Sequence, residues 1–169
     1  TTIREAFASS RNAAAVRLTQ EIGLDAVAGA SRRLGLDPGP NPDLDFVLGT
    51  SSTNVLAVTG AYAAVANGGF RVRPQGVLAV VDGRGGVRAN FLETTRTRVV
   101  PQRCVEPTRA VLHEVVRAGT GRRAALGRAK AYGKTGTTTG YAGAWFVGWS
   151  GAHVFGVWMG RRRDADGLE

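Results

Sequence analysis

Lys134-Thr135-Gly136, continuing as Thr137-Thr138, sets an amine, hydroxyls and a position without a side chain on successive residues. In a strand, alternation puts Lys134 on one side with Gly136, and Thr135 on the other with Thr137. An edge strand of this composition offers an ammonium, hydroxyls and free backbone N–H groups to an extended peptide, which would add to the sheet as one more strand. Gly136 clears the approach. A plain solvated edge strand protected by a lysine accounts for Lys134 but not for its glycine and threonine neighbours. The competing phosphate-binding motif, Gly-x-x-x-x-Gly-Lys-Thr, shares Gly133-Lys134-Thr135 but needs a glycine where Arg128 stands, and Gly127 comes one place too early. Its lysine also opens a helix, whereas Gly136-Thr137-Thr138-Thr139-Gly140 is poor in helix formers.

A second polar group, Ser10-Arg11-Asn12, lies far upstream at the entrance of a helix expected over 13–22, where Val16, Leu18 and Ile22 stand among good helix formers and Gly23 supplies the stop. Taken alone, Ser10 and Asn12 there read as ordinary caps. A second helix is expected from an Asp25 N-cap to Leu34, closing at Gly35, with an extended loop over 37–42. A third, capped by Ser52 or Thr53, should run through Ala66 and be buried, its apolar face made by Val55, Leu56, Tyr62 and Val65. The runs 76–81 and 87–91 flank Asp82-Gly83-Arg84-Gly85-Gly86 and read as a β-hairpin inserted at about 76–92. A fourth helix has Pro107 in its first turn, presents Val111, Leu112, Val115 and Val116, and ends before Gly119. The remainder is mostly β. Trp145, Val147 and Trp149 alternate with Phe146 and Gly148, and after the two-residue turn Gly151-Ala152 the run 154–159 should pair back antiparallel.

These elements fit one domain, or part of one: 169 residues with 43% hydrophobic content suffice for a single core. No stretch reaches the roughly 18 apolar residues of a membrane-spanning helix, and residues 1–30 lack the order of a signal peptide. Starting at Thr1 without methionine, the chain reads as a segment. The net charge of +9 comes from twenty arginines and two lysines against 13 acidic residues. The arginines are scattered, Arg161-Arg162-Arg163 is short, and no aromatic-basic interleaving occurs, so a solvated surface is expected rather than specific nucleic-acid binding. Cys104 is the single cysteine, which leaves no disulfide framework or cysteine-based metal site within the chain. His113 and His153 have no companions at metal-ligand spacing, and no metal or cofactor is implied.

Several phrases, in order, carry a resemblance. Ala6-Phe7-Ala8-Ser9-Ser10-Arg11-Asn12-Ala13-Ala14-Ala15-Val16-Arg17-Leu18 is followed by Leu48-Gly49-Thr50-Ser51 leading to Ala61-Tyr62-Ala63-Ala64-Val65-Ala66-Asn67-Gly68-Gly69. Gly133-Lys134-Thr135-Gly136-Thr137-Thr138 and Ala144-Trp145-Phe146-Val147-Gly148 complete the series. Together they resemble, over nearly the whole chain, the transpeptidase domain of class A penicillin-binding proteins, the bifunctional peptidoglycan synthases. Two of the three motifs of that fold, Ser-x-Asn and Lys-Thr-Gly, are present.

The resemblance implies an α+β fold of the penicillin-binding protein and serine β-lactamase type, an antiparallel sheet with packed helices, of which 1–169 would be the C-terminal portion. It implies acyl transfer on peptidoglycan stem peptides ending in D-alanyl-D-alanine, with β-lactams as inhibitors. Ser10 would join the proton relay among nucleophile, lysine and leaving amine, and Asn12 would bind the substrate. Lys134 would supply positive field and stay linked to Ser10, and the hydroxyls of Thr135 and Thr137 would bind the terminal carboxylate. The backbone N–H of Thr137 would form one arm of the oxyanion hole, with Gly136 beside it. A β-lactamase or D,D-carboxypeptidase shares the mechanism but delivers the acyl group to water. A non-catalytic binding module or remnant that kept the cleft edge is a further alternative.

No serine of the chain has lysine three positions later, so the Ser-x-x-Lys nucleophile is expected upstream of Thr1, along with a glycosyltransferase domain and a membrane anchor of the parent, on the extracytoplasmic side. Gly143 stands where the family often has an acidic residue. Taken by itself, the chain is expected to be catalytically dead and poorly stable, with one sheet face exposed.

Overall fold

The computed structural model describes residues 1–92, 95–137 and 143–160; Thr138-Thr139-Gly140 of the lysine motif and the Arg161-Arg162-Arg163 triplet lie outside the described residues. A helix that the sequence reading passed over comes first, α1 (Ile3–Ala8), closed by a capping box in which the Thr2 hydroxyl accepts from the Glu5 N–H and the Glu5 carboxylate accepts from the Thr2 N–H at 2.9 Å. The chain then turns a corner into α2 (Asn12–Ile22). Thr19 is the buried residue of α2, and Ile22 at its end is 55% exposed.

α3 (Leu24–Arg33) begins directly after Gly23, whose φ of +95° turns the chain between the two helices. Asp25 was expected to cap α3; it lies inside the first turn, where a carboxylate favours the positive end of the helix without capping it. The segment 37–42 is a loop, as expected, but a bent rather than an extended one: Gly39 has φ +83° and its N–H donates to the Asp37 carboxylate at 2.8 Å. A short 3-10 helix, Leu44–Leu48, follows, capped by the Asp43 carboxylate. The cap of α4 (Val55–Ala66) is Asn54 rather than Ser52 or Thr53, because its side-chain oxygen reaches the free Ala57 N–H at 2.8 Å. Ala61, Ala63, Ala64 and Val65 of α4 are buried, but Leu56 is 62% exposed.

The hairpin forms as expected but shorter: β1 (Ala79–Val81) pairs antiparallel with β2 (Val87–Asn90), and the Asp82 carboxylate accepts from the Arg84 and Gly86 N–H groups to shape the turn. α5 (Gln102–Ala118) starts a full turn before its expected beginning, so Pro107 falls in its second turn instead of its first. Val105, 1% exposed, anchors that added turn in the core, and its burial outweighs the backbone bond that Pro107 cannot make.

Three strands complete the described chain: β3 (Ala131–Thr137), β4 (Gly143–Ser150) and β5 (His153–Gly160), antiparallel in the order β3-β4-β5. The β4–β5 turn is the one anticipated, with Ser150 opposite His153 and Gly151 at φ +55°. Register and alternation put Tyr132, Trp149 and Val154 in one cross-strand row, and Lys134, Val147 and Gly156 in the next row of the same face. That face meets the helices, α5 along β3 and α4 across β4 and β5. The core gathers there: Val65, Leu112 and Trp149 with Tyr62, Tyr132 and Val154, the rings of Tyr132 and Trp149 stacked 4.7 Å apart. On the other face Gly133 and Gly148 leave room for the Phe146 ring; a Cβ at Gly133 would come within 2.6 Å of it.

Candidate active site

Two elements meet at the β3 edge. The α1–α2 corner delivers Ser10, which holds φ at +54°, a left-handed conformation that a residue with a Cβ adopts only under surrounding constraint. The constraint is visible: the Arg11 N–H donates to the Ala6 carbonyl at 2.9 Å and the Ser10 N–H to that of Phe7 at 3.0 Å, which closes the corner on itself. β3 delivers Lys134, whose ammonium donates to the Ser10 hydroxyl oxygen at 2.8 Å and to the Thr135 carbonyl at 2.9 Å. Residues 124 apart in sequence are thereby joined. The Phe7 ring lies 5.9 Å from the same ammonium and supplies an aromatic face to it.

Burial pushes the Lys134 amine below the ordinary lysine value, because desolvation penalises its charged form. An amine shifted in that direction gives up its proton at a lower pH than a free lysine does. Ser10, accepting from Lys134 through its oxygen, keeps its own proton for a third group. The pair can therefore pass a proton between a reacting centre and the amine.

The hydroxyls of the lysine motif are arranged along β3. Thr135 is half-buried and shares a 2.6 Å hydrogen bond with the hydroxyl of Thr120, in the segment after α5. Thr137 is exposed at the end of the described part of β3, opposite Ala144. Gly136 lies opposite Trp145, and a Cβ at Gly136 would stand 3.2 Å from the Trp145 Cβ. β3 has β4 on one side only among the described strands, so it is the edge strand that the sequence called for.

Asn12 is the first residue of α2 and exposed; among the described residues it takes no part in the Lys134–Ser10 bond. The cap reading of this stretch fails, since α2 has no side-chain capping bond at its start. The sequence reading missed Thr120 and gave Phe7 no place in the site. Nothing in Gly119-Thr120-Gly121 marks a site residue without knowledge of where α5 ends, and Phe7 belongs to the helix that was passed over.

An antiparallel sheet with packed helices, and a polar site between a helical corner and the sheet edge, make this an α+β protein with a lysine-bearing cleft edge. Residues 1–159 match the penicillin binding protein transpeptidase domain, and the chain belongs to that family. It is 36% identical over 166 residues to penicillin-binding protein 1A of Neisseria lactamica, which covers 94% of this chain and 21% of the relative. With penicillin-binding protein 1A of Aquifex aeolicus the identity is 38% over 160 residues, 94% of this chain and 22% of the relative. The solved structure of penicillin-binding protein PonA1 from Mycobacterium tuberculosis superposes with a TM-score of 0.85 at 27% identity, covering 99% of this chain and 49% of that one. The chain thus spans about a fifth of the length of the curated relatives it matches.

Proposed function

We propose that this chain forms one wall of the active site of a D,D-transpeptidase, the C-terminal portion of its transpeptidase domain, in a longer protein that cross-links peptidoglycan outside the cytoplasmic membrane and is anchored there. The observation that carries the reading is the 2.8 Å hydrogen bond from Lys134 to Ser10, made at a sheet edge in a chain of this family.

In this reading a serine supplied from outside residues 1–169 attacks the carbonyl between the two terminal D-alanines of a stem peptide and gives up its proton to the lysine relay. The carbon becomes tetrahedral, and its oxyanion is held by backbone donors that include the Thr137 N–H. The C–N bond then breaks, and the departing D-alanine amine takes its proton through Ser10, which Lys134 recharges. An amine of a neighbouring stem peptide attacks the acyl-enzyme, the ester C–O bond breaks, and the serine leaves with a proton that the amine gives up, which completes the cross-link. Lys134 contributes field, Thr135 and Thr137 bind the terminal carboxylate, Asn12 bonds the substrate's side chain and helps fix the lysine of the nucleophile motif, and Gly136 lets the extended peptide lie against β3. β-Lactams occupy the same place and acylate the same serine.

The test uses the full-length parent with a fluorescent penicillin. A stable covalent adduct on a serine, together with transfer of the acyl group to an added amine acceptor, is expected. No adduct would sink the reading, and an adduct released only to water would move it to a carboxypeptidase or β-lactamase.

A further inference from the structure

Thr120 belongs to neither sequence motif, yet it touches both motif-bearing elements. Its backbone N–H donates to the Ala8 carbonyl at 3.0 Å, two residues before Ser10, and its hydroxyl shares the 2.6 Å bond with Thr135, next to Lys134. The approach is close because Gly119 precedes it: a Cβ at Gly119 would collide with the Ala8 carbonyl oxygen and stand 3.0 Å from the Val115 Cα. The end of α5 thus lies close against the α1–α2 corner, backbone to backbone. The Thr120 side chain remains available for β3.

A hydroxyl has one proton and can also accept. When the Thr120 hydroxyl donates to Thr135 Oγ1, one acceptor lone pair of Thr135 is engaged and its own proton, which then points away from Thr120, is left for an anion. Without Thr120, the Thr135 hydroxyl would be free to rotate and to accept from water. A hydrogen bond to a carboxylate is worth more than a neutral one, so fixing that proton's direction matters most when the ligand is charged.

We propose that Thr120 is a positioning residue for carboxylate recognition: it holds the Thr135 hydroxyl so that its proton is presented to the terminal carboxylate of the substrate or β-lactam. The proposal rests on the acyl-transfer reading above and adds to it a residue that reads ligand charge from outside the Lys-Thr-Gly strand.

The experiment uses the full-length parent and compares Thr120→Val, which keeps the branched shape, with Thr120→Ser, which keeps the hydroxyl. Acylation rate constants are measured with benzylpenicillin and with its uncharged methyl ester, and thermal unfolding is followed in parallel. Thr120→Val should lose about tenfold on benzylpenicillin, the worth of one hydrogen bond to a charged group, and less than about twofold on the ester. Thr120→Ser should recover most of the loss. Equal losses on acid and ester would make Thr120 merely structural and overturn the proposal, as would a Thr120→Val rate within twofold of wild type on benzylpenicillin. Equal reaction of acid and ester in the wild type would remove the anion contact itself and overturn it too. Absence of acylation in the wild type is the separate result that sinks the transpeptidase reading, and the proposal with it.

Discussion

β3 carries Lys134 tied to Ser10 at 2.8 Å, with hydroxyls and a glycine beside it, while β5, on the far side of β4, carries Phe155, Val157, Trp158 and Met159, each at least 37% exposed. Both flank the same central strand, and each lacks a second partner among the described strands. Their glycines differ in the same way. Gly136 on β3 faces a Trp145 Cβ that a methyl group would approach to 3.2 Å, whereas a Cβ at Gly156 on β5 would collide with the Thr59 hydroxyl of α4 and sit 3.2 Å from the Val55 Cγ1. One edge leaves a polar, glycine-cleared strand open, and the other is fixed by packing against a helix. An unprotected apolar edge is also a surface on which another copy of the chain can pair.

The widest separation between the two edges should come from Lys134→Met. In the parent, penicillin acylation should fall at least about a hundredfold, the usual scale for a lost proton-transfer group, with the fold retained; an acylation rate near wild type would erase the functional distinction between the edges. The glycine pair sharpens it next. Gly156→Ala should destabilise by about 1–3 kcal/mol in denaturant unfolding, through overpacking against α4. Gly136→Ala should instead slow acylation with less than about 1 kcal/mol lost, since its neighbour has only to yield slightly. If both variants lost stability alone, β3 would be as structural as β5.

A smaller effect tests the apolar edge. The 169-residue chain by itself should self-associate, and Val157→Lys combined with Met159→Lys should shift its sedimentation towards monomer. The smallest effect is a pH slope. Burial lowers the Lys134 pKa, so the folded protein releases this proton at a lower pH than the unfolded chain does. The unfolded state then binds more protons, and stability rises with pH from the lowered value up to the ordinary lysine value. Conversely, this contribution is lost as pH falls through the lowered value. The difference in unfolding free energy between wild type and Lys134→Met, followed across the alkaline range, should show that slope; a flat difference would mean that the amine is not desolvated.

What was readable in the sequence followed short-range rules. Alternation of Trp145, Val147 and Trp149, with Gly151 first in a two-residue turn, was enough to draw β4 and β5 in register. The place of Lys134 on an edge strand came from the same kind of pattern. The Ser10–Lys134 pairing came from resemblance, because no local rule links residues so far apart. Helix ends were harder. The capping box at Thr2 and Glu5 was present in the sequence and passed over, and the start of α5 depended on burial of Val105, a tertiary fact that overrides the habit of placing proline in a first turn. Thr120 depended on the approach of Gly119 to Ala8, which only the folded chain creates.

The β1–β2 hairpin has a practical use for anyone labelling this protein. Its two strands pair only with each other in their sheet, and its turn is organised from within by Asp82, which also binds Arg88 at 2.8 Å. A fluorophore or affinity handle attached at Arg84 would therefore ride on a self-contained appendage, reporting on the molecule without entering the cleft.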